Sequence, residues 1–106
     1  MFTVSFVIYE KAGMPRDEAL RYWREEHGQI VARIPGVRSY VQQHAVGAPE
    51  GEPPFLGLAW LSFDDQESFA SVAGGPEFAA ALADLPNFGD ETRLPTAFVE
   101  QVTIVG

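Results

Sequence analysis

The sequence predicts an α+β domain of order βαββαβ, and two observations predict it. Four segments read as strands by alternation or by a short apolar run, and two stretches between them carry helical apolar spacing, with Gly and Pro marking the joints. Right-handed crossovers then fold that order into a four-stranded antiparallel sheet with both helical stretches on one face, the ferredoxin-like arrangement. At 106 residues the chain suits one domain, 1–106, with no internal linker or repeat.

Phe2, Val4, Phe6 and Ile8 alternate with Thr3, Ser5, Val7 and Tyr9, so residues 2–10 form the first strand. Lys11 to Met14 turn the chain. Pro15 suits the first helical position, and Asp17 and Glu18 complement the positive end of the helix dipole. That helix runs to about Ile34 with Gly28 as its weak point, and Pro35-Gly36 stops it. The second strand spans 37–46, with Arg38, Tyr40, Gln42 and His44 on one face. A Gly- and Pro-rich connection, 47–54, leads to an apolar third strand, 55–63. Asp64 with Glu67 resembles a capping box for a helix over 66–73, which Gly74-Gly75 break and Pro76 restarts over 77–85. After an irregular segment, residues 97–105 close the chain as a fourth strand.

Composition excludes several classes. With 46% apolar residues the chain folds as a globule, yet no apolar run approaches the roughly 18 residues of a membrane span. Met1 to Phe6 alternate without a basic leader and read as a strand rather than a signal peptide. The net charge of −8, with no basic stripe, disfavours nucleic acid. Lack of cysteine removes disulfides, thiolate nucleophiles and cysteine metal sites, and fits a cytoplasmic protein. Apolar residues on both faces of the sheet, Phe55, Ala59, Leu61 and Phe63 against Leu56, Leu58 and Trp60, call for a second cover. The same face of a second copy is the simplest one, so a homodimer is expected.

The chemistry concentrates on the first helix. At about 100° per residue Leu20, Trp23, His27, Ile30, Val31 and Ile34 share one stripe, opposite Glu18, Arg21, Glu25 and Gln29. His27, one of two histidines, therefore lies among apolar side chains. Such an imidazole is either a hydrogen-bonded packing residue or a proton-handling group.

Trp23-x3-His27 after a strand and a turn, followed by Ile34-Pro35-Gly36-Val37 and Tyr40, resembles the EthD-type family of dimeric α/β barrels. The likeness is best over residues 1–46 and returns at Asn87-Phe88 and Phe98-Val99-Glu100-Gln101. It implies a dimer, a pocket between each sheet and its own helices, and small organic ligands, often aromatic or polyketide-like. Related barrels isomerise lactones, cyclise or dehydrate polyketides, or oxidise anthrones without a cofactor.

With that resemblance, His27 is the candidate general base. Tyr40, which can donate to an enolate or carbonyl oxygen, is the second catalytic candidate; an ordinary strand tyrosine is the alternative. His44, about 13 Å along the strand from Tyr40, can flank the same ligand or be a solvated strand end. Trp23, Trp60, Phe69, Phe78 and Phe88 can line a pocket or serve as core, with Trp23 favoured for the pocket because it lies one turn from His27. Two histidines on separate elements, with no carboxylate one turn away on the same stripe, make a poor ligand set, so no metal is expected. No glycine pattern forms a phosphate loop, so no cofactor is expected. The expectation is a cofactor-independent isomerase, dehydratase or cyclase acting on a small apolar carbonyl or phenolic compound. Cofactor-free oxygenation and ligand binding without turnover are the alternatives.

Overall fold

The alternation at the amino terminus becomes β1, Phe2–Ile8, whose Val4, Phe6 and Ile8 are buried while Thr3, Ser5 and Val7 are not. The computed structural model describes residues 1–106. A helix follows as α1, Arg16–Tyr22, continues through a wide π turn at Trp23–His27, and ends as α2, Gly28–Val31. Next come β2, Ser39–His44, and β3, Gly57–Phe63. The second helical stretch is α3, Gln66–Ala73, and α4, Pro76–Asp84, with a 3-10 turn at Leu85–Asn87, before β4, Thr96–Val99. The sheet order is β2-β3-β1-β4 with every neighbouring pair antiparallel, which is the ferredoxin-like topology. No helix is long and apolar enough to cross a membrane.

One face of the sheet meets the helices. Val4, Phe6, Ala59, Leu61 and Phe63 pack there against Trp23, Val31, Ile34, Phe78 and Phe88. Gly57 is required at the edge of this core. A Cβ there would lie 2.6 Å from Trp23 Cζ3 and against the Gln43 carbonyl, so no larger residue admits the tryptophan. The other face carries Val7, Val41, Leu58, Trp60 and Val99, and nothing in the chain covers it.

Several boundaries differ from expectation for identifiable reasons. β4 stops at Val99 rather than running through 105, because Val99 already pairs with Thr3 and β1 has only one more residue to offer. Leu56 is fully buried instead of sharing the outer face with Leu58; its N–H bonds to Ile8 O, ahead of the regular ladder. β2 is shorter than 37–46, although Arg38 N–H to Ser62 O and Ala45 N–H to Leu56 O extend its bonding by one residue each way. Pro15 precedes the first helix as its cap, with an extended ψ of 140°. The cap of α3 is Asp65, whose carboxylate accepts the Ser68 N–H at 2.8 Å, while Asp64 pairs with Arg38 at 3.0 Å. The irregularity in the first helix falls on the π turn just before Gly28.

Candidate functional site

The π turn sets the geometry of the site. One extra residue in a helical turn rotates every side chain beyond it, and turns of this kind cluster at functional positions. Here it begins at Trp23, which is fully buried, and ends at His27, which is 8% exposed, so both point into the interior.

Asp84, at the last position of α4, is buried beside that imidazole. Its Oδ2 lies 2.8 Å from His27 Nδ1, and its Oδ1 accepts from the Tyr22 hydroxyl at 2.7 Å and from Asn87 Nδ2 at 2.9 Å. Burial alone would raise the Asp84 carboxyl, but the donors from Tyr22, Asn87 and His27 outweigh it and hold the group below the usual carboxylate range. An ionised carboxylate only accepts, so His27 Nδ1 carries the proton in this pair. Nε2 is then the basic nitrogen, and it makes no hydrogen bond within the chain. Burial lowers the pKa of His27 below 6.5 despite the opposing pull of Asp84, so the ring is neutral at physiological pH. The same carboxylate raises the pKa of Tyr22, chiefly by accepting its hydrogen bond.

His27 lines a cavity of about 50 Å³ with Trp23, Tyr40, Phe78, Leu82 and Leu94 among its other walls. That is about a third of the ~150 Å³ that accommodates a benzene ring, so it admits a small reacting group and not a whole aromatic ligand. Tyr40 forms part of the wall, and burial raises its pKa. Its hydroxyl accepts from Gln42 Nε2 at 2.7 Å, which leaves its own proton free to donate. The buried Trp23 indole N–H completes no hydrogen bond.

Strand periodicity carries this network outward. Gln42 Nε2 also donates to the Trp23 carbonyl at 2.9 Å, so both amide hydrogens are in use. Gln42 Oε1 must then accept from His44 Nε2–H at 2.7 Å, and the His44 ring stacks on Trp23 with centroids 4.7 Å apart. Burial and the nearby Arg24 charge lower the pKa of His44.

The structure therefore brings Trp23, His27 and Tyr40 to one cavity and places His44 behind Trp23, outside it. Phe88 is fully buried against the His27 ring, with centroids 4.6 Å apart, and backs the imidazole rather than lining the cavity. Trp60 is on the wrong side: it registers with Val41 and Ser5 on the sheet face away from the helices, so strand alternation removes it from this site. Asp84, Tyr22, Asn87 and Gln42 are the residues that sequence reasoning missed. A signal existed for Asp84, which follows Ala81 by three residues on the buried stripe of α4 and places a negative charge at the unfavourable end of a helix dipole.

Comparison with known proteins places this fold. The crystal structure of an ethyl tert-butyl ether d (EthD) family protein from Bacillus halodurans C-125 superposes with a TM-score of 0.78 at 24% identity, covering 96% of this chain and 100% of that one. A dimeric ferredoxin-like protein from Thermobifida fusca YX gives 0.71 at 14% identity, covering 94% and 90%. A DABB family protein with a ferredoxin-like fold from Mesorhizobium loti MAFF303099 gives 0.70 at 14% identity, covering 96% and 97%. No curated protein sequence matches the chain. The EthD domain family matches residues 11–92, most of the chain, and with the fold and the Trp23–His27 helix already in place the conclusion is direct: this protein belongs to the EthD domain family.

Proposed function

We propose that the protein is a cofactor-independent enzyme that begins its reaction by removing a proton from a small carbonyl or phenolic compound, with His27 as the base. The observation that carries this reading is the 2.8 Å contact between His27 Nδ1 and Asp84 Oδ2 in a buried setting. It orients the ring, fixes its tautomer and stabilises the imidazolium that forms when Nε2 takes a proton. As the C–H bond next to a carbonyl breaks, its electron pair moves onto the carbonyl oxygen. In this reading the free O–H of Tyr40, on the cavity wall, donates to that oxygen. Return of the proton from His27 to a different carbon completes an isomerisation; its delivery to a β-hydroxyl, which leaves as water while the enolate electrons form the C=C bond, makes the reaction a dehydration. Both the proton acceptor and the oxyanion donor are side chains of this chain, so the step calls for no cofactor.

The functional unit in this reading is a homodimer. Val41 and Val99 are exposed and Trp60 half-buried on the uncovered sheet face, and the similar Thermobifida protein is dimeric. A second copy packed face to face would cover them.

The test is proton exchange in D2O on a panel of small cyclic ketones and phenols, followed by NMR. Wild type is expected to exchange an activated C–H of at least one compound, and His27→Ala to lose about 10²–10⁴-fold in rate. Asp84→Asn removes the negative charge that stabilises the imidazolium, and is expected to lose a similar factor without losing the fold. A folded His27→Ala protein that exchanges as fast as wild type removes the base from the mechanism. Oxygen uptake that accompanies exchange assigns oxygenation, and a ligand bound tightly but recovered unexchanged assigns a carrier.

A further inference from the structure

Outside the cavity, an open groove runs between the edge strand β2 and the helical segment that carries Arg24 and leads through α2 to the turn at Arg33. At about 780 Å³ it is far roomier than the interior cavity, and it lies open to solvent. Its charge is opposite to that of the molecule. The chain has 15 acidic residues against 7 basic ones, yet the groove is walled by Arg24 and Arg33, floored by Tyr40, Gln42 and His44, and lined by no carboxylate.

The two arginines are also unlike the others. Arg16, Arg21, Arg38 and Arg93 each lie against a carboxylate of this chain, whereas Arg24 and Arg33 have none. Arg24 lies in the π turn and Arg33 in the turn that follows α2, and both border the same groove. Beneath them the Gln42 amide is already committed to Tyr40, Trp23 and His44. The charged groups left free are two guanidinium forks, whose planar donors match the two oxygens of a carboxylate.

We propose that this groove holds the carboxylate of an organic acid, and that such an acid is the substrate class of the His27 site, with Tyr40 as the wall shared by groove and cavity. The second half of the proposal rests on the function proposed above; the first half does not. An acid anchored outside needs to send only its small reacting end into the interior, which suits a cavity of about 50 Å³.

Benzoate and benzamide share size and ring and differ in charge, so calorimetric titration of both separates an anion site from an apolar one. Wild type is expected to bind benzoate at least about tenfold more tightly than benzamide, with a preference that weakens as salt rises. Arg24→Gln with Arg33→Gln, both on the exposed surface, is expected to abolish the preference. Arg24→Lys and Arg33→Lys, which keep the charge without the fork, are expected to give an intermediate value, and circular dichroism checks each fold. His27→Ala is expected to keep benzoate affinity. Benzoate preference in a protein that exchanges no substrate proton therefore leaves the groove standing and removes only the catalytic reading. Equal affinity for the two probes, no binding of benzoate, or a preference that survives the double glutamine variant overturns the anion site.

Discussion

The two histidines of this chain are the same side chain solved in two ways. His27 donates through Nδ1 to a carboxylate deep in the helical layer, while His44 donates through Nε2 to an amide at the end of β2. Burial lowers the pKa of both, but only His27 has a carboxylate opposing that shift; the charge near His44 is Arg24, which lowers it further. The difference teaches what sets the proposed base apart. Both rings have a fixed tautomer, so the tautomer does not separate them. A counter-charge that stabilises the protonated ring is what Asp84 adds and Gln42 does not.

Breaking the two partners should show that contrast most clearly. Asp84→Ala strips the acceptor from Tyr22, His27 and Asn87 at once and is expected to destabilise the fold by about 2–4 kcal/mol, read as a lower urea midpoint. Gln42→Ala removes the half-buried link among Tyr40, Trp23 and His44 and is expected to cost less, about 1–2 kcal/mol. Equal losses for the two would mean that the carboxylate contributes nothing beyond an ordinary hydrogen-bond acceptor.

The same contrast marks where the sequence is legible. His27 is visible because helical periodicity is local: Trp23, His27 and Val31 recur four apart, and all three are buried. Alternation places Tyr40, Gln42 and His44 on one face, and the structure turns that face toward Trp23. Asp84 escapes such a reading, because its contact with His27 spans 57 residues and depends on how α4 packs across α2. Trp60 shows the reverse failure. Its residue type suggests a pocket, but its position within β3 sends it to the outer face with Leu58. The π turn, which begins at the buried Trp23 and ends at the buried His27, has no composition of its own, and the neighbouring Gly28 draws attention away from it. Periodicity finds which residues go inside; it does not find their partners.

Titration gives the smallest and most selective test. Because the folded pKa of His27 lies below its ordinary 6.5, the unfolded chain binds more protons between those two values. Stability is therefore fully present above pH 6.5 and is lost as pH falls through that window; His44 acts in the same direction. Asp84, held below 3.8, stabilises above that value and withdraws its contribution only at lower pH, in a separate window. Wild type is expected to lose less than about 2 kcal/mol between roughly pH 7.5 and 5.5, and His27→Gln and His44→Gln each to remove part of that slope. Nitrogen-15 NMR of the two rings sharpens the comparison further, because the hydrogen bonds require opposite tautomers, Nδ1–H at His27 and Nε2–H at His44. Finding the proton on Nε2 in both rings would leave His27 with no free basic nitrogen, and the pairing with Asp84 would then be a packing contact rather than a catalytic one.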